Sequence, residues 1–132
     1  MKKEMTVKTG DSGSFSVRSR FRSFRYAYAG LNAFFSTQHN SIIHLFATIA
    51  VLMASVFFRI DKTEIFAIIF SVGLVWSSEL FNTAVEKLAD LVSQEFDPRI
   101  KFIKDVSAAA VLLSSLAALI VGVIIFLPKI LS

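Results

Sequence analysis

Three long apolar stretches constrain this chain more than any other feature. Residues 41–58 (SIIHLFATIAVLMASVFF) carry no formal charge, and His44 is their one titratable group. Residues 65–78 (IFAIIFSVGLVWSS) and 106–128 (VSAAAVLLSSLAALIVGVIIFLP) are likewise uncharged. About 20 predominantly apolar residues carry a helix across a bilayer. The last stretch has that length outright and the first nearly so. The second has it if Glu79 lies within or at the edge of the membrane. Composition agrees: of 132 residues 55% are hydrophobic and 18% charged, with a mean hydropathy of +0.65. A small soluble domain must cover much of its surface with polar groups, and this chain lacks them. It is too apolar for a disordered chain. Without cysteine, a disulfide framework, a Cys-ligated zinc site and thiol catalysis are excluded.

The scarce charges are unevenly placed. Residues 1–30 hold seven Lys/Arg against Glu4 and Asp11, a balance of +5, while the remainder holds seven basic and eight acidic groups, a balance of −1. A basic end on an apolar body suits either nucleic acid or an anionic leaflet. The apolar body favours the membrane, so no nucleic-acid partner is expected. Residues 1–17 are polar and without period, which reads as a flexible tail. No apolar segment follows Lys2 and Lys3 closely enough for a secretory signal. In residues 18–37, Phe21, Phe24, Tyr28, Leu31 and Phe35 recur at spacings of three or four, flanked by Arg18, Arg22 and Arg25. That pattern predicts a helix lying in the interface, rings in the acyl boundary and guanidinium groups among headgroups.

The expected fold class is therefore an all-α integral membrane protein. It has an N-terminal amphipathic surface helix over about 18–37 and three transmembrane helices over about 41–59, 64–90 and 104–128. The connectors are the charged turn Arg59–Glu64 and the segment Ser93–Arg99, which contains Pro98. Basic residues gather before the first span and, as Lys87, Arg99, Lys101 and Lys104, between the second and third. The positive-inside rule then puts the N-terminus and the second connector in the cytoplasm.

Acidic groups in or beside a span are costly and point to function. Glu79, Asn82, Glu86 and Asp90 stand at offsets of 0, 3, 7 and 11. At 100° per residue they fall within an arc of about 80° on one face of the second span. A polar helix end leaving the bilayer would also carry charges, but scattered ones of both signs, and Lys87 points elsewhere. Lys104 and Asp105 stand at the same end of the third span. Clustered carboxylates suit Mg²⁺ bridging to phosphate, a lysine offsets phosphate charge, and one carboxylate can act as general base. The expected chemistry is phosphoryl transfer at the lipid–water interface. Neither a P-loop nor a G-x-G-x-x-G signature is present, and His39 and His44 lack zinc-protease spacing. His44 reads as a polar residue at a helix entrance. Ala110, Ser114, Ala118 and Gly122 form a small-residue stripe suited to close helix packing, within a subunit or between subunits.

The segment Glu79-Leu-Phe-Asn82-Thr-Ala-Val-Glu86 with Asp90 resembles the E-x-x-N-[TS]-A-[IV]-E-x-x-x-D motif of the prokaryotic diacylglycerol kinase family, small trimeric membrane lipid kinases that include undecaprenol kinases. Ile103-Lys104-Asp105-Val-Ser-Ala-Ala-Ala-Val-Leu-Leu resembles the family's K-D-x-x-[AS]-[AG]-A-V-L block, and Arg20 to Leu31 its surface-helix segment. The resemblance runs from about residue 18 to 130 without a gap. It implies a homotrimer in the cytoplasmic membrane, with composite sites that take a membrane lipid from the bilayer and Mg-ATP from the cytoplasm. It implies Glu79 as the base that activates the lipid hydroxyl, supported by Asn82, and Glu86 on Mg²⁺. Tyr26, Asp90, Glu95, Asp97, Lys104 and Asp105 would lie at or near the nucleotide. The expected product is phosphatidic acid from diacylglycerol, in phospholipid biosynthesis, with undecaprenol as the alternative acceptor. A small docking subunit using its acidic face is the non-enzymatic alternative. Two positions depart from the family pattern. Gln38 stands where a second metal carboxylate is usual, giving an amide oxygen without charge. Ser19 stands where an arginine is often found, between Arg18 and Arg20.

Overall fold

A computed structural model of the chain describes residues 17–37 and 40–132, all helix or short connector. The expected tail therefore lies outside the described residues except for Val17, and so does Gln38. The elements are α1 (Val17–Thr37), α2 (Asn40–Phe57), α3 (Lys62–Val92) and α4 (Pro98–Leu131). Two compact units are distinguished, one ending at Ala33 and one running from Phe34 to Ser132. In the first, the α1 rings Phe21, Phe24, Tyr26 and Tyr28 are exposed, and the Arg25 guanidinium carbon lies 5.8 Å from the Tyr26 ring centre.

In the second unit, α2, α3 and α4 run up, down and up. α2 ends where the backbone of Arg59 turns left-handed, at φ 49°. The amide of Ile60 then reaches back to Ser55 O (3.2 Å) and that of Arg59 to Val56 O (3.3 Å). This is the paired C-terminal closure that satisfies the last carbonyls of a helix, with Ile60 buried as its apolar contact. The next helix starts at once. Asp61 Oδ1 accepts from the amides of Thr63 (2.7 Å) and Glu64 (3.0 Å), and the Glu64 carboxylate accepts from the amide of Asp61 at 2.9 Å. The result is a reciprocal capping box.

α4 packs along α3 and α2 makes a smaller contact with it. The α3 face turned inward carries Ile68, Ser71, Val75, Glu79 and Ala89, and the facing stripe of α4 carries Ser114 and Ile125. Ile60, Ile68 and Ile125 form the buried apolar cluster, backed by Val51, Phe58, Val121 and Phe126. An ion pair closes each end of this antiparallel pair: Lys129 with Glu64 at 3.1 Å, and Lys104 with Asp90 at 2.6 Å. Outside these stripes the helices present apolar side chains, among them Phe66, Phe70 and Phe81 on α3 and Leu113, Leu119 and Ile124 on α4, all more than half exposed. In water such a surface would drive aggregation; facing acyl chains it needs no cover.

α3 and α4 are each long and apolar enough to cross a membrane. Their 31 and 34 residues extend about 46 and about 51 Å at 1.5 Å per residue, well beyond a hydrocarbon core of about 30 Å. The charged residues from Glu86 onward place the surplus at the α3–α4 connector end. α2 has 18 residues, about 27 Å at 1.5 Å per residue, and its bounds lie within two residues of the expected first span. α4 begins six residues before the expected third span, because Asp97 caps it and Pro98 occupies the first turn, where a missing amide proton costs nothing. Of the small-residue stripe, Ser114 is buried against α3. Ala110 is exposed, and a side chain at Gly122 would meet open space. The α3–α4 seam follows the three-four spacing through Ser107, Val111, Ser114, Ala118, Val121 and Ile125, so it shares Ser114 and Ala118 with the stripe and leaves Ala110 outside.

Removing the capping carboxylate of α3 isolates the cap from the packing. Asp61→Ala should lower stability by about 1 kcal/mol, and Asp61→Asn by much less, since asparagine caps as well as aspartate. Denaturant unfolding of the detergent-solubilised protein followed by circular dichroism measures the difference.

Candidate active site

The polar strip begins where α3 approaches α2. Trp76 Nε1 donates to Thr48 Oγ1 at 3.1 Å, and one turn further along, His44 Nε2 lies 2.6 Å from Glu79 Oε1. The pairings are antiparallel and in register: His44 and Thr48 are one turn apart on α2, Trp76 and Glu79 one turn apart on α3. Glu79 is 4% exposed. A carboxylate so enclosed requires hydrogen-bonding partners to offset the lost hydration, and the imidazole is one of them. The rings of Phe34 and Phe35 lie against Trp76, with centroids 6.2 and 5.4 Å away. The imidazole meets the same indole edge-on at 6.4 Å.

Asn82 comes next and turns to α4, with Glu86 bonded to it on α3. Ser107 Oγ donates to Asn82 Oδ1 at 2.7 Å, and Asn82 Nδ2 donates to Glu86 Oε1 at 3.2 Å. The amide is thereby held at both ends, and its orientation follows from having a hydroxyl donor on one side and a carboxylate on the other. Lys104 O lies 2.9 Å from the same hydroxyl, whose one proton is shared between the two acceptors.

The last part of the strip surrounds the connector. α3 stops at Ser93, whose backbone is extended and whose hydroxyl accepts from the Glu95 amide at 3.0 Å. Pro98 disfavours the helical conformation for Asp97, which is extended and free to cap α4. The Asp97 carboxylate accepts from the Arg99 amide at 2.8 Å and from the Arg99 guanidinium at 2.8 and 3.2 Å. Here a hollow of about 460 Å³ opens, lined by Asp90, Glu95, Phe96, Asp97, Lys101, Lys104 and Asp105. Lys104 reaches Asp90, and Lys101 pairs with Asp105. Hydrogen bonding from Lys104 holds the Asp90 carboxyl below the usual carboxylate range. The Arg99 side chain, then its backbone amide, lowers Asp97 to about 2.

Five of the residues expected near a nucleotide, Asp90, Glu95, Asp97, Lys104 and Asp105, thus line one hollow. Tyr26 lies in the other unit, on α1. Glu79, eleven residues before Asp90, stands about 16 Å away along the helix and faces α2 rather than the connector. Among the described residues no three His, Cys, Asp or Glu side chains converge as a ready metal cage. Sequence reasoning missed the second halves of these contacts: His44, Thr48, Ser107 and Lys101. One signal was available for His44. It and Glu79 lie equally far from the centre of the Arg59–Glu64 turn, so an antiparallel hairpin sets them opposite each other.

The geometry therefore describes a helical membrane protein with a buried carboxylate, a fixed amide and a hollow of mixed charge along one edge. Residues 25–126 match the family model of prokaryotic diacylglycerol kinase, and the chain belongs to that family. It is 41% identical to a diacylglycerol kinase of Synechocystis sp. over 111 residues, 83% of this chain and 63% of that protein. It is 35% identical to an undecaprenol kinase of Bacillus subtilis over 109 residues, 83% of this chain and 89% of that protein.

The lowered Asp97 carboxyl gives a pH window. A group whose pKa falls on folding, here from 3.8 to about 2, stabilises fully above its ordinary pKa and loses that contribution as pH falls through the folded value. Wild type should exceed Asp97→Asn in stability by a constant margin from about pH 8 to about pH 5. The margin should close between about pH 4 and about pH 2. Thermal unfolding in detergent across that range measures it.

Proposed function

We propose that this chain is an ATP- and Mg²⁺-dependent lipid kinase that transfers the γ-phosphoryl group to the hydroxyl of diacylglycerol, giving phosphatidic acid. The observation that carries this reading is the buried Glu79 carboxylate on α3, the helix whose connector end opens into a hollow that holds Lys101 and Lys104 among carboxylates. Glu79 takes the proton from the lipid hydroxyl. That oxygen attacks the γ-phosphorus, the bond from the γ-phosphorus to the β–γ bridging oxygen breaks, and ADP leaves. Phosphoryl transfer asks the protein mainly for positioning and charge stabilisation. Asn82, tied to Ser107 and Glu86, keeps the strip next to the base in order. The lysines offset phosphate charge in the hollow; Tyr26 is a nucleotide contact by the family resemblance alone.

The donor set fits Mg²⁺. This ion is commonly held through one or two carboxylates and the substrate phosphates, keeping several waters, rather than by an all-protein cage. Glu86, half-buried beside Asn82, would supply such a carboxylate; Gln38, at the family's second metal position, lies outside the described residues. When bound, the ion neutralises charge on the transferred phosphoryl group.

Around this chemistry we place three spans, α2, α3 and α4, with α1 on the membrane surface. The excess of Lys/Arg before α2 and around the α3–α4 connector supports a cytoplasmic N-terminus and hollow. A homotrimer completes the sites. The relative named undecaprenol kinase supports undecaprenol as the second candidate acceptor. A docking subunit with an acidic face would instead show no ATP turnover with either lipid.

Loss of the base tests the assignment. Glu79→Gln should lower kcat for lipid phosphorylation about 10²- to 10⁴-fold, the usual worth of a general base. The assay follows transfer from ATP to added lipid by the full chain in mixed micelles. A near-normal rate would remove Glu79 from that role.

A further inference from the structure

We propose that His44 is the positioning residue of Glu79: its Nε2 fixes the carboxylate in the orientation that accepts the lipid proton. The inference rests on the kinase reading above and goes beyond it, because that reading assigns His44 nothing. A glutamate has three side-chain rotors, and a base that wanders among them delivers its oxygen to the substrate only part of the time. Here one rotamer is held by a 2.6 Å contact from a neighbouring helix.

The imidazole is itself held. Thr48 Oγ1 donates to the His44 carbonyl at 2.7 Å and accepts from Trp76 Nε1 at 3.1 Å. The indole lies edge-on to the imidazole, and Trp76 is one turn from Glu79 on the same helix. The four side chains thus brace one another across α2 and α3, with the carboxylate as the member nearest the strip that runs to Asn82. A histidine serving only to fill space in an apolar helix would have no reason to present a ring nitrogen to a buried carboxylate. Removing it would leave that carboxylate without this partner in a low-dielectric setting, where each hydrogen bond to charge counts most.

The full chain in mixed micelles is assayed with ATP and diacylglycerol or undecaprenol. His44→Ala should lower kcat about 10- to 100-fold, the effect of losing a hydrogen bond to a charged group, with KM for ATP within about twofold. His44→Gln, whose amide nitrogen reaches the place of Nε2, should recover most of the rate. His44→Asn, whose amide nitrogen falls short of it, should not. In a Glu79→Gln background, His44→Ala should change the residual rate less than about twofold, because the group it orients is gone. If His44→Ala does not fold, the Gln and Asn variants, matched for helix content, decide the matter alone. Equal rates for Gln and Asn, or a full further loss in the Glu79→Gln background, would overturn the proposal. An active Glu79→Gln would overturn the base assignment instead, so the two failures are distinguishable.

Discussion

The antiparallel register of α3 against α4 is the constraint on which the rest of this structure depends. Two ion pairs, Glu64–Lys129 and Asp90–Lys104, sit at opposite ends of the seam, and between them the contact is apolar apart from small hydroxyls and the Asn82–Ser107 hydrogen bond. Inside a bilayer the apolar faces gain little by meeting each other rather than lipid, so close packing and interhelical polar contacts decide the alignment. A shift of the register by one helical turn would separate both ion pairs. It would also take Asn82 away from Ser107. The polar strip is ordered because the seam beneath it has one alignment.

From that seam the division of labour along α3 follows. Its first half is a membrane helix with apolar rings outward; its second half continues past the hydrocarbon and carries carboxylates. Glu79 marks the change. It is the point where α3 still touches α2 and can find a buried partner, and where the lipid-facing and connector-facing parts of the molecule meet. Beyond it, Asp90 reaches Lys104 on α4 and Asp97 caps α4 from the connector, while Glu86 is bonded to Asn82 on α3 itself. A phosphoryl acceptor that lives in the membrane and a donor that lives in water would need just this transition.

Much of this was legible in the sequence, for identifiable reasons. Helices in an apolar medium must satisfy their own backbone, so long uncharged stretches define them well. The 80° arc of Glu79, Asn82, Glu86 and Asp90 is a property of one helix and can be read from spacing alone. What spacing within one helix cannot show is the partner on the next. His44 read as an ordinary polar residue, because its meaning lies 35 positions away. Ser107 was one hydroxyl among several. The small-residue stripe coincides with the α3–α4 seam only in part, because spacings of four drift around the helix while the seam alternates three and four: Ser114 and Ala118 lie on it and Ala110 does not. The early start of α4 was hidden in Asp97–Pro98, whose capping role competed with the reading of Pro98 as a breaker.

The central claim is that this membrane helical unit moves a phosphoryl group from ATP to a lipid. Purified full-length protein in mixed micelles, given γ-labelled ATP and either diacylglycerol or undecaprenol, tests it directly. Labelled phosphatidic acid, formed in preference to undecaprenyl phosphate and only with Mg²⁺ present, is the expected result. Labelling of neither lipid, with the protein folded and helical, would contradict the account.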